Sequence, residues 1–502
     1  MRDRYILGIY LALLCACLIL SAPEVAQAQL SDSNETDYYA VFMEGKKVGF
    51  AIQSRVVAEG KVITTQKVSI TVSRADVPVT IDATETSIET TGGEPLGFQT
   101  EQQLGAMTMK VNGTVDKQGK VGLAIISMGT EQKSTIEWPV GAVMAESLRL
   151  LVLKKGLKQG TEYTAKVFSP GMLQALDARI QIGPKQNIDL LGRVVALTEV
   201  TSTYNISEAG EIISTSYVDD DLRDQKVILP IAGMQAEMLA CAKEFALGEN
   251  DVFEVLNKMF LASPEPLEGV RSAKSITYHL SPTQGTDNLK IPSGDSQKVQ
   301  QLEDGKVIMT VEPVEAPAGA KFPYKGTDSK ILQATKPTRF VQSDRKEIVD
   351  LARQAVGSAK DAGEAVRNIE AFVAKYVENK SLSVGYASAA EVAASKCGDC
   401  SEFAVLTTAM CRAVGIPAQM VTGVAYVEDW NGKQGFGGHA WAQAYVGDKW
   451  VGLDAAFQSA GWGGFGPGHI ALAVGNGDPE DFFNLVTTLG QFKIDKVIIN
   501  KD

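Results

Sequence analysis

The sequence predicts an α+β protein of several domains. The chain has 502 residues, which exceeds the size of one ordinary hydrophobic core. Short runs rich in Thr, Val and Ile, separated by Gly-containing turns, fill residues 38–227 and are typical of antiparallel hairpins. After Gln342 the apolar residues recur at helical spacing instead. We therefore expect a mainly antiparallel β domain to precede an α+β domain.

The first residues have the pattern of a secretory signal peptide. Arg2 and Arg4 precede an apolar stretch from Tyr5 to Leu20, and a small-residue cleavage site ends at Ala28. The alternatives are an uncleaved N-terminal anchor and a lipoprotein modified at Cys17, although the residues before that cysteine fit a lipobox poorly. The segment predicts export to the periplasm or the medium. Later apolar stretches are too short to span a bilayer, so no transmembrane segment is expected after cleavage.

These patterns predict four segments. Residues 1–28 are the signal peptide, and residues 29–262 form a β-rich domain with a helical C-terminal part. Residues 263–342 form a linking region with a small sheet, and residues 343–502 form the C-terminal α+β domain. In the β-rich domain the spacing predicts one helix within residues 142–156 and a second over residues 234–260, with Cys241 buried in it.

Charge and cysteine usage limit the class of function. The formal net charge is -12, which argues against nucleic acid or an anionic membrane as a general partner. The chain has six cysteines, and signal cleavage leaves Cys241, Cys397, Cys400 and Cys411. Three of these lie within fifteen residues, which indicates local chemistry and not a disulfide scaffold.

The C-terminal domain opens with two predicted helices. Asp344 and Glu347 suit a capping box, and Asp361 and Glu364 repeat the device ahead of a second apolar run. A third helix follows in "KCGDCSEFAVLTTAMCRAVGIPA", residues 396–418, where Gly415 supplies the C-terminal stop. These helices should form the helical part of the domain.

Cys400 is predicted at the N-terminus of the third helix. Unpaired backbone N–H groups and the helix dipole stabilise a thiolate there, which suits a nucleophile. A thioredoxin-like reading of Cys397 and Cys400 requires an apolar strand before the first cysteine, but the approach is "GYASAAEVAASK". A structural zinc site requires four ligands, and the sequence supplies no second pair. The nucleophile interpretation is therefore favoured over both.

A thiol nucleophile needs a base, and His439 occurs in a segment that reads as a hairpin. A two-residue turn at Gly447 and Asp448 would pair Val446 with Lys449. Asp454 would then lie diagonal to His439 on the same face, at about 7–8 Å between Cα atoms. The spacing alone therefore predicts a base with a carboxylate to orient it.

These segments resemble the transglutaminase-like superfamily, whose core is related to papain. The resemblance covers residues 343–457 and rests on "GDCSEFA", "RAVGIPAQMVTG", "HAWAQAYV" and "WVGLDAAF". It implies a transglutaminase-like (papain-like) fold with Cys400 as nucleophile, His439 as general base and acid, and Asp454 as orienter of the imidazole. It assigns no cofactor and no metal, and Cys397 lies outside the implied triad.

The resemblance implies an exported thiol enzyme that cleaves peptide or carboxamide bonds through a thioester, with hydrolysis favoured over transamidation. Its partner would be a protein or peptide substrate. The alternatives are a non-catalytic module that binds a peptide or an envelope component, and a redox protein.

Several site details stay open in the sequence. The oxyanion donor could be the backbone N–H of Cys400 or the side chain of Tyr386. The segments "NGKQGFGG" and "GWGGFGPGH" carry Phe436, Trp462 and Phe465 and are either substrate-gripping rims or plain surface loops. His469 ends the second segment and is assigned a structural role.

Cys397 yields a test of redox control. Cys397 could form a disulfide with Cys400, three residues away, and this bond would block the nucleophile. Alternatively, Cys397 is a small, partly buried residue with no redox role, and the nucleophile stays free. If the disulfide forms, a more oxidising thiol-disulfide buffer should reversibly inactivate the wild type and leave Cys397→Ser active. The activity of both proteins across a graded buffer decides between these readings. Parallel loss in both proteins, or no response in either, excludes the disulfide.

Overall fold

In the computed structural model the chain forms two compact units, and the boundary between them along the sequence lies between Phe253 and Glu254. The predicted signal peptide and Tyr386 lie outside the described residues. Within them, no helix is both long enough and apolar enough to cross a membrane. The described residues are 34–74, 77–104, 107–127, 130–206, 210–231, 234–254, 260–283, 289–338, 340–380, 387–430, 432–475 and 488–501.

The N-terminal unit consists mainly of one sheet, to which the described residues contribute fifteen strands. Their order is β8-β7-β6-β5-β4-β3-β2-β1-β15-β14-β13-β12-β11-β10-β9, antiparallel except for the pair β9–β10. The strands are β1 (Asn34–Met43), β2 (Lys46–Ala58), β3 (Lys61–Arg74), β4 (Val77–Thr90), β5 (Pro95–Leu104), β6 (Met107–Val115), β7 (Lys120–Ser127), β8 (Thr130–Glu137), β9 (Ala142–Val143), β10 (Glu162–Ser169), β11 (Gln174–Leu190), β12 (Arg193–Ile206), β13 (Gly210–Val218), β14 (Asp224–Ile231) and β15 (Met234–Ala240).

The sheet curls so that its two ends approach each other. β8 and β9 are the outermost strands, yet only residues 138–141 join them along the chain. Phe98 and Val111 from one end of the sheet pack in one core with Met144 and Phe168 from the other. The predicted antiparallel β domain is therefore confirmed, and its core lies on the inner side of the curl.

One helix, α1 (Ala145–Lys155), forms where the sequence predicted it and packs against the curled sheet. The buried Glu89 carboxylate accepts hydrogen bonds from the N–H groups of Glu146 and Ser147, at 2.7 and 3.0 Å. Glu146 in turn pairs with Arg55 and Arg149, at 2.8 and 2.7 Å. A strand carboxylate thus satisfies donors in the first turn that would otherwise lack a partner.

The helix predicted over residues 234–260 is wrong at its start. Met234–Ala240 is strand β15, which pairs with β1 and β14. Among the described residues up to Phe260, the short α2 (Lys243–Ala246) is the helix that follows it. Burial alternates along β15, with Met234, Ala236 and Met238 inward, so the period is that of a strand. Cys241 lies just past this strand and is half-buried, not buried in a helix.

The C-terminal unit combines helices with two larger sheets. One sheet has the order β16-β23-β22-β25, and β24 also pairs with β23. The other sheet has the order β18-β19-β17-β26. The strands are β16 (Phe260–Ala262), β17 (Ser275–Pro282), β18 (Gln297–Gln301), β19 (Val307–Val311), β20 (Asn379–Lys380), β21 (Cys397–Gly398), β22 (Ala418–Trp430), β23 (Lys433–Val446), β24 (Lys449–Leu453), β25 (His469–Gly475) and β26 (Phe492–Asn500). The helices are α3 (Ser329–Gln333), α4 (Lys346–Val356), α5 (Ala362–Tyr376), α6 (Ala389–Ser395), α7 (Cys400–Ala413) and α8 (Ala455–Ser459).

A shared apolar core joins the two larger sheets. Phe436 of β23 is 0% exposed and lies 5.6 Å from the ring of Tyr278 on β17 and 5.6 Å from the ring of Tyr426 on β22. Phe436 is therefore a core residue. Residues 433–438 of the Gly-rich segment that carries it form part of a strand, which excludes both the rim and the surface-loop interpretations for that aromatic residue.

The predicted helix starts are confirmed in one case and wrong in the other. Asp361 caps α5 by accepting a hydrogen bond from the Glu364 N–H at 2.9 Å. At α4 the N-cap is Arg345 and not Asp344. The Glu347 carboxylate accepts from the Arg345 guanidinium at 3.1 Å, so this carboxylate binds a side chain where a capping box would need a backbone N–H.

Phe436→Ala should destabilise the C-terminal unit by about 3–5 kcal/mol, because it leaves a cavity between two sheets. Urea unfolding followed by tryptophan fluorescence measures this, since Trp430, Trp441, Trp450 and Trp462 all lie in this unit. The matched control is Val474→Ala, because Val474 is 38% exposed, and it should cost less than about 1 kcal/mol. Equal losses in the two variants would contradict the core assignment of Phe436.

Candidate active site

Cys400 is the first residue of α7, as the sequence predicted. Asp399 occupies the N-cap, and its carboxylate accepts a hydrogen bond from the Ser401 N–H at 3.0 Å. Glu402 completes a capping box by accepting from the Asp399 N–H at 2.8 Å. The helix packs against β22 and β23 and against α4, α5 and α6, so the thiol is carried on a firmly held element.

Glu402 also anchors the chain in front of this helix. It is 0% exposed, and its second oxygen accepts from the Ala387 N–H at 2.7 Å. Burial raises the pKa of Glu402 well above its usual range. A Cβ on Gly398 would lie 2.2 Å from the Glu402 Cβ, so only glycine fits there. The pattern Asp399-x-x-Glu402 is the sequence signal of this capping box, which was not among the predicted features.

The predicted hairpin brings His439 to Asp454. Val446 pairs with Lys449, as expected, and the pairing continues to the end of β24. His439 Nε2 lies 2.7 Å from Asp454 Oδ2. Asp454 stands one residue beyond β24, where its other oxygen, Oδ1, caps α8 by accepting from the Phe457 N–H at 2.9 Å.

His439 also lies beside Cys400, which is among the groups that raise the pKa of this histidine. Because Nε2 faces Asp454, Nδ1 is the ring nitrogen left for the sulfur. Burial lowers the pKa of His439, but the Asp454 carboxylate and Cys400 outweigh this effect and raise it to about 10. Burial opposes ionisation of Asp454, but His439 and His469 lower its pKa below its usual range. A protonated His439 is therefore held between a carboxylate and a thiol.

Two residues that the sequence did not connect with the site also hold Asp454. His469 Nε2 lies 2.9 Å from the same Oδ2 that His439 contacts. Glu370 of α5 accepts a hydrogen bond from the Asp454 N–H at 2.6 Å, and burial raises the pKa of Glu370 to about 7. Neither residue carries a local sequence signal, because each reaches Asp454 only through tertiary packing.

Aromatic rings surround the histidines. The ring of Phe457 lies 4.5 Å from His439 and 4.9 Å from His469, and Phe465 lies 4.9 Å from His469. Phe465 therefore packs against the site. Trp462 is 42% exposed and lies under the guanidinium of Arg271, 4.4 Å from its ring centroid. Of the three aromatic residues in the Gly-rich segments, Trp462 is the one exposed at the surface beside the site.

The cluster of His439, Asp454 and His469 has the composition of a divalent-metal site, and its potential ligand atoms lie within 4.8 Å of one another. Hydrogen bonds already account for this arrangement, since both Nε2 atoms point at Asp454 Oδ2. The four cysteines of the described chain are unpaired. Cys411 is fully buried in α7, and burial raises its pKa to about 12, as expected for an unreactive core thiol.

Comparison with protein families identifies the fold around this site. Residues 349–455 match the model of the transglutaminase-like superfamily. The C-terminal third of the chain contains a transglutaminase-like domain. Cys400, His439 and Asp454 lie inside the matched residues, and His469 lies beyond them. The comparison with curated proteins gives no significant match.

Three solved structures show partial similarity. A candidate cysteine protease from Cytophaga hutchinsonii is 21% identical, with 45% of this chain and 90% of that chain covered and a TM-score of 0.30. The periplasmic domain of TgpA from Pseudomonas aeruginosa, bound to ethylmercury, is 12% identical, with 40% and 89% covered and a TM-score of 0.25. A beta-barrel-like protein of a domain of unknown function, DUF1849, from Brucella abortus is 10% identical, with 43% and 97% covered and a TM-score of 0.33.

His439 should remain protonated until the pH approaches about 10. Since its pKa is raised in the folded state, the positive charge is present below that pH and is lost above it. Nitrogen-detected NMR titration of the histidine rings measures this transition. Asp454→Asn removes the carboxylate charge and should lower the His439 pKa by roughly 1–3 units. A wild-type His439 that titrates near 6.5 would contradict the ion-pair geometry.

Proposed function

We propose that this protein is an exported thiol enzyme that hydrolyses peptide or carboxamide bonds in a protein or peptide substrate. The observation that carries the proposal is the position of His439 between the Cys400 thiol and the Asp454 carboxylate. A base that contacts a nucleophile on one side and an orienting acid on the other is the arrangement that thiol catalysis requires.

In the acylation step the Cys400 thiolate attacks the substrate carbonyl, and a C–S bond forms as the carbonyl π electrons move to oxygen. The tetrahedral intermediate collapses, the C–N bond breaks, and the proton of His439 passes to the departing amine. Asp454 keeps the imidazole oriented with Nδ1 toward the sulfur. The products of this step are a free amine and a thioester on Cys400.

In the second step His439 takes a proton from water, the resulting hydroxide attacks the thioester, and Cys400 leaves as a thiolate. An amine in place of water would give transamidation by the same route. The preference for water rests on the family resemblance alone. Product analysis with a labelled primary amine distinguishes the two outcomes, because only transamidation incorporates the label.

The start of α7 supplies an oxyanion donor in this proposal. The N–H groups in the first turn of a helix lack intrahelical partners, and that of Cys400 is adjacent to the attacked carbonyl. The alternative donor, the Tyr386 side chain, lies outside the described residues. Export is proposed from residues 1–28, and the acidic chain supports a protein or peptide substrate over a nucleic acid.

Cys400 should react with a tagged, thiol-directed amide-mimic electrophile well before Cys241 and Cys411 at neutral pH. The reason is that Cys400 is partly accessible at the start of α7 and lies beside His439, whereas Cys411 is buried. Burial raises the pKa of Cys241 and of Cys411, which slows both thiols. Peptide mapping by mass spectrometry identifies the labelled residue. Equal labelling rates at Cys400 and Cys411 would refute the assignment of the nucleophile.

His439→Ala should abolish nearly all amide cleavage, whereas Asp454→Ala should retain a small measurable fraction. Without Asp454 the imidazole is poorly oriented but still transfers some protons, whereas without His439 no base remains. Release of free amine from a peptide mixture measures both variants. Wild-type turnover in His439→Ala would exclude the mechanism. If the wild type binds peptides but never cleaves them, the domain is a binding module instead.

A further inference from the structure

His469 is a second imidazole on the carboxylate that holds the proposed base. Asp454 Oδ2 faces two ring nitrogens, His439 Nε2 at 2.7 Å and His469 Nε2 at 2.9 Å, while Oδ1 accepts from the Phe457 N–H. A carboxylate that needs only to orient one histidine does not require a second. The site therefore contains an interaction that the proposed triad leaves unexplained.

The surroundings of His469 fix which of its nitrogens carries the proton. An ionised Asp454 only accepts hydrogen bonds, so His469 Nε2 must be the donor. The opposite nitrogen, Nδ1, lies 3.2 Å from the Gly466 N and 3.0 Å from the Gly466 O, and in the neutral ring it accepts from the Gly466 N–H. Burial and the positive charge of His439 lower the pKa of His469, so the ring is neutral at neutral pH.

A neutral donor has a specific advantage at this position. The neutral His469 ring fixes the position of Asp454 Oδ2 through a hydrogen bond. It adds no positive charge that would compete with His439 for the carboxylate. In the part of the chain that the structure describes, the charged or titratable groups around this cluster are Cys400 on α7, Glu370 on α5, Asp454 and His439. His439 is the protonated member of that set, so the attraction of Asp454 is directed mainly at it.

We propose, on the basis of the function proposed above, that His469 is a positioning residue. By donating Nε2–H to Asp454 Oδ2 it locks the carboxylate between two elements, the start of β25 and the start of α8. A locked carboxylate holds the His439 ring at the angle that presents Nδ1 to Cys400. Because His469 lies outside residues 349–455, the domain match does not include this contact.

The experiment compares three substitutions of His469 in the full chain. His469→Gln keeps an N–H donor near the position of Nε2. His469→Asn places its amide near Nδ1, too far from Asp454, and His469→Phe removes the donor but fits between Phe457 and Phe465. The readout is the rate constant for alkylation of Cys400 by iodoacetamide at pH 7, mapped by mass spectrometry. The matched control is His279→Phe, since His279 lies on β17 outside the site.

His469→Phe and His469→Asn should slow alkylation of Cys400 roughly 10- to 100-fold, because the His439 ring loses its fixed orientation. His469→Gln should recover most of the wild-type rate, and His279→Phe should leave it unchanged. A merely structural role predicts a different order, in which all three His469 variants lose stability and reactivity together. Thermal unfolding measured on each variant reports stability separately from the rate.

Each outcome bears on a defined claim. If wild-type Cys400 is fast and His469→Phe and His469→Asn are equally fast, the positioning role is wrong while the proposed function stands. If His469→Gln is as slow as His469→Phe, the donor is not what matters and the positioning role is also overturned. If wild-type Cys400 reacts no faster than Cys411, the proposed function fails and this inference fails with it.

Discussion

The buried carboxylate of Asp454 is the interaction on which the C-terminal site depends. A buried charge is costly unless it is paired and hydrogen-bonded, and Asp454 meets this requirement with donors from several elements. His439 comes from β23, His469 from the start of β25 and the Phe457 N–H from the first turn of α8. Glu370 of α5 holds the Asp454 backbone. The Asp454 side chain thus joins β23, the start of β25 and the start of α8, and its backbone N–H adds α5.

A second buried carboxyl group, that of Glu402, fixes the backbone near Cys400. Glu402 joins the N–H of Asp399 to that of Ala387, which fixes the backbone before α7 as well as the helix start itself. Unlike Asp454, it has no histidine partner, and burial raises its pKa. Two backbone N–H groups and the Ser401 hydroxyl therefore hold this carboxyl group, whereas Asp454 is held by ionic pairing. The two groups differ in electrostatics although both serve to fix the geometry around Cys400.

The parts of the structure that the sequence predicted are those encoded locally. Helix α7 is set by apolar spacing and Gly415, and the hairpin register is set by a two-residue turn, so Cys400, His439 and Asp454 could be placed before any coordinates were known. Strand β15 was mistaken for a helix because a short apolar run carries too few periods to distinguish the two. His469 and Glu370 could not be placed, because only the packing of distant elements brings them to Asp454.

The strand order of the N-terminal unit has a consequence for how that unit folds. Most neighbouring strands in the curled sheet are also neighbours along the chain, so hairpins can form as soon as both strands exist. The pair β1–β15 is the exception, since nearly the whole unit separates its two strands. Closing it carries the largest loop entropy of the sheet and should be a late step. Until then one edge of β1 exposes unpaired backbone groups to other chains, so a nascent molecule is open to intermolecular pairing until β15 has been synthesised.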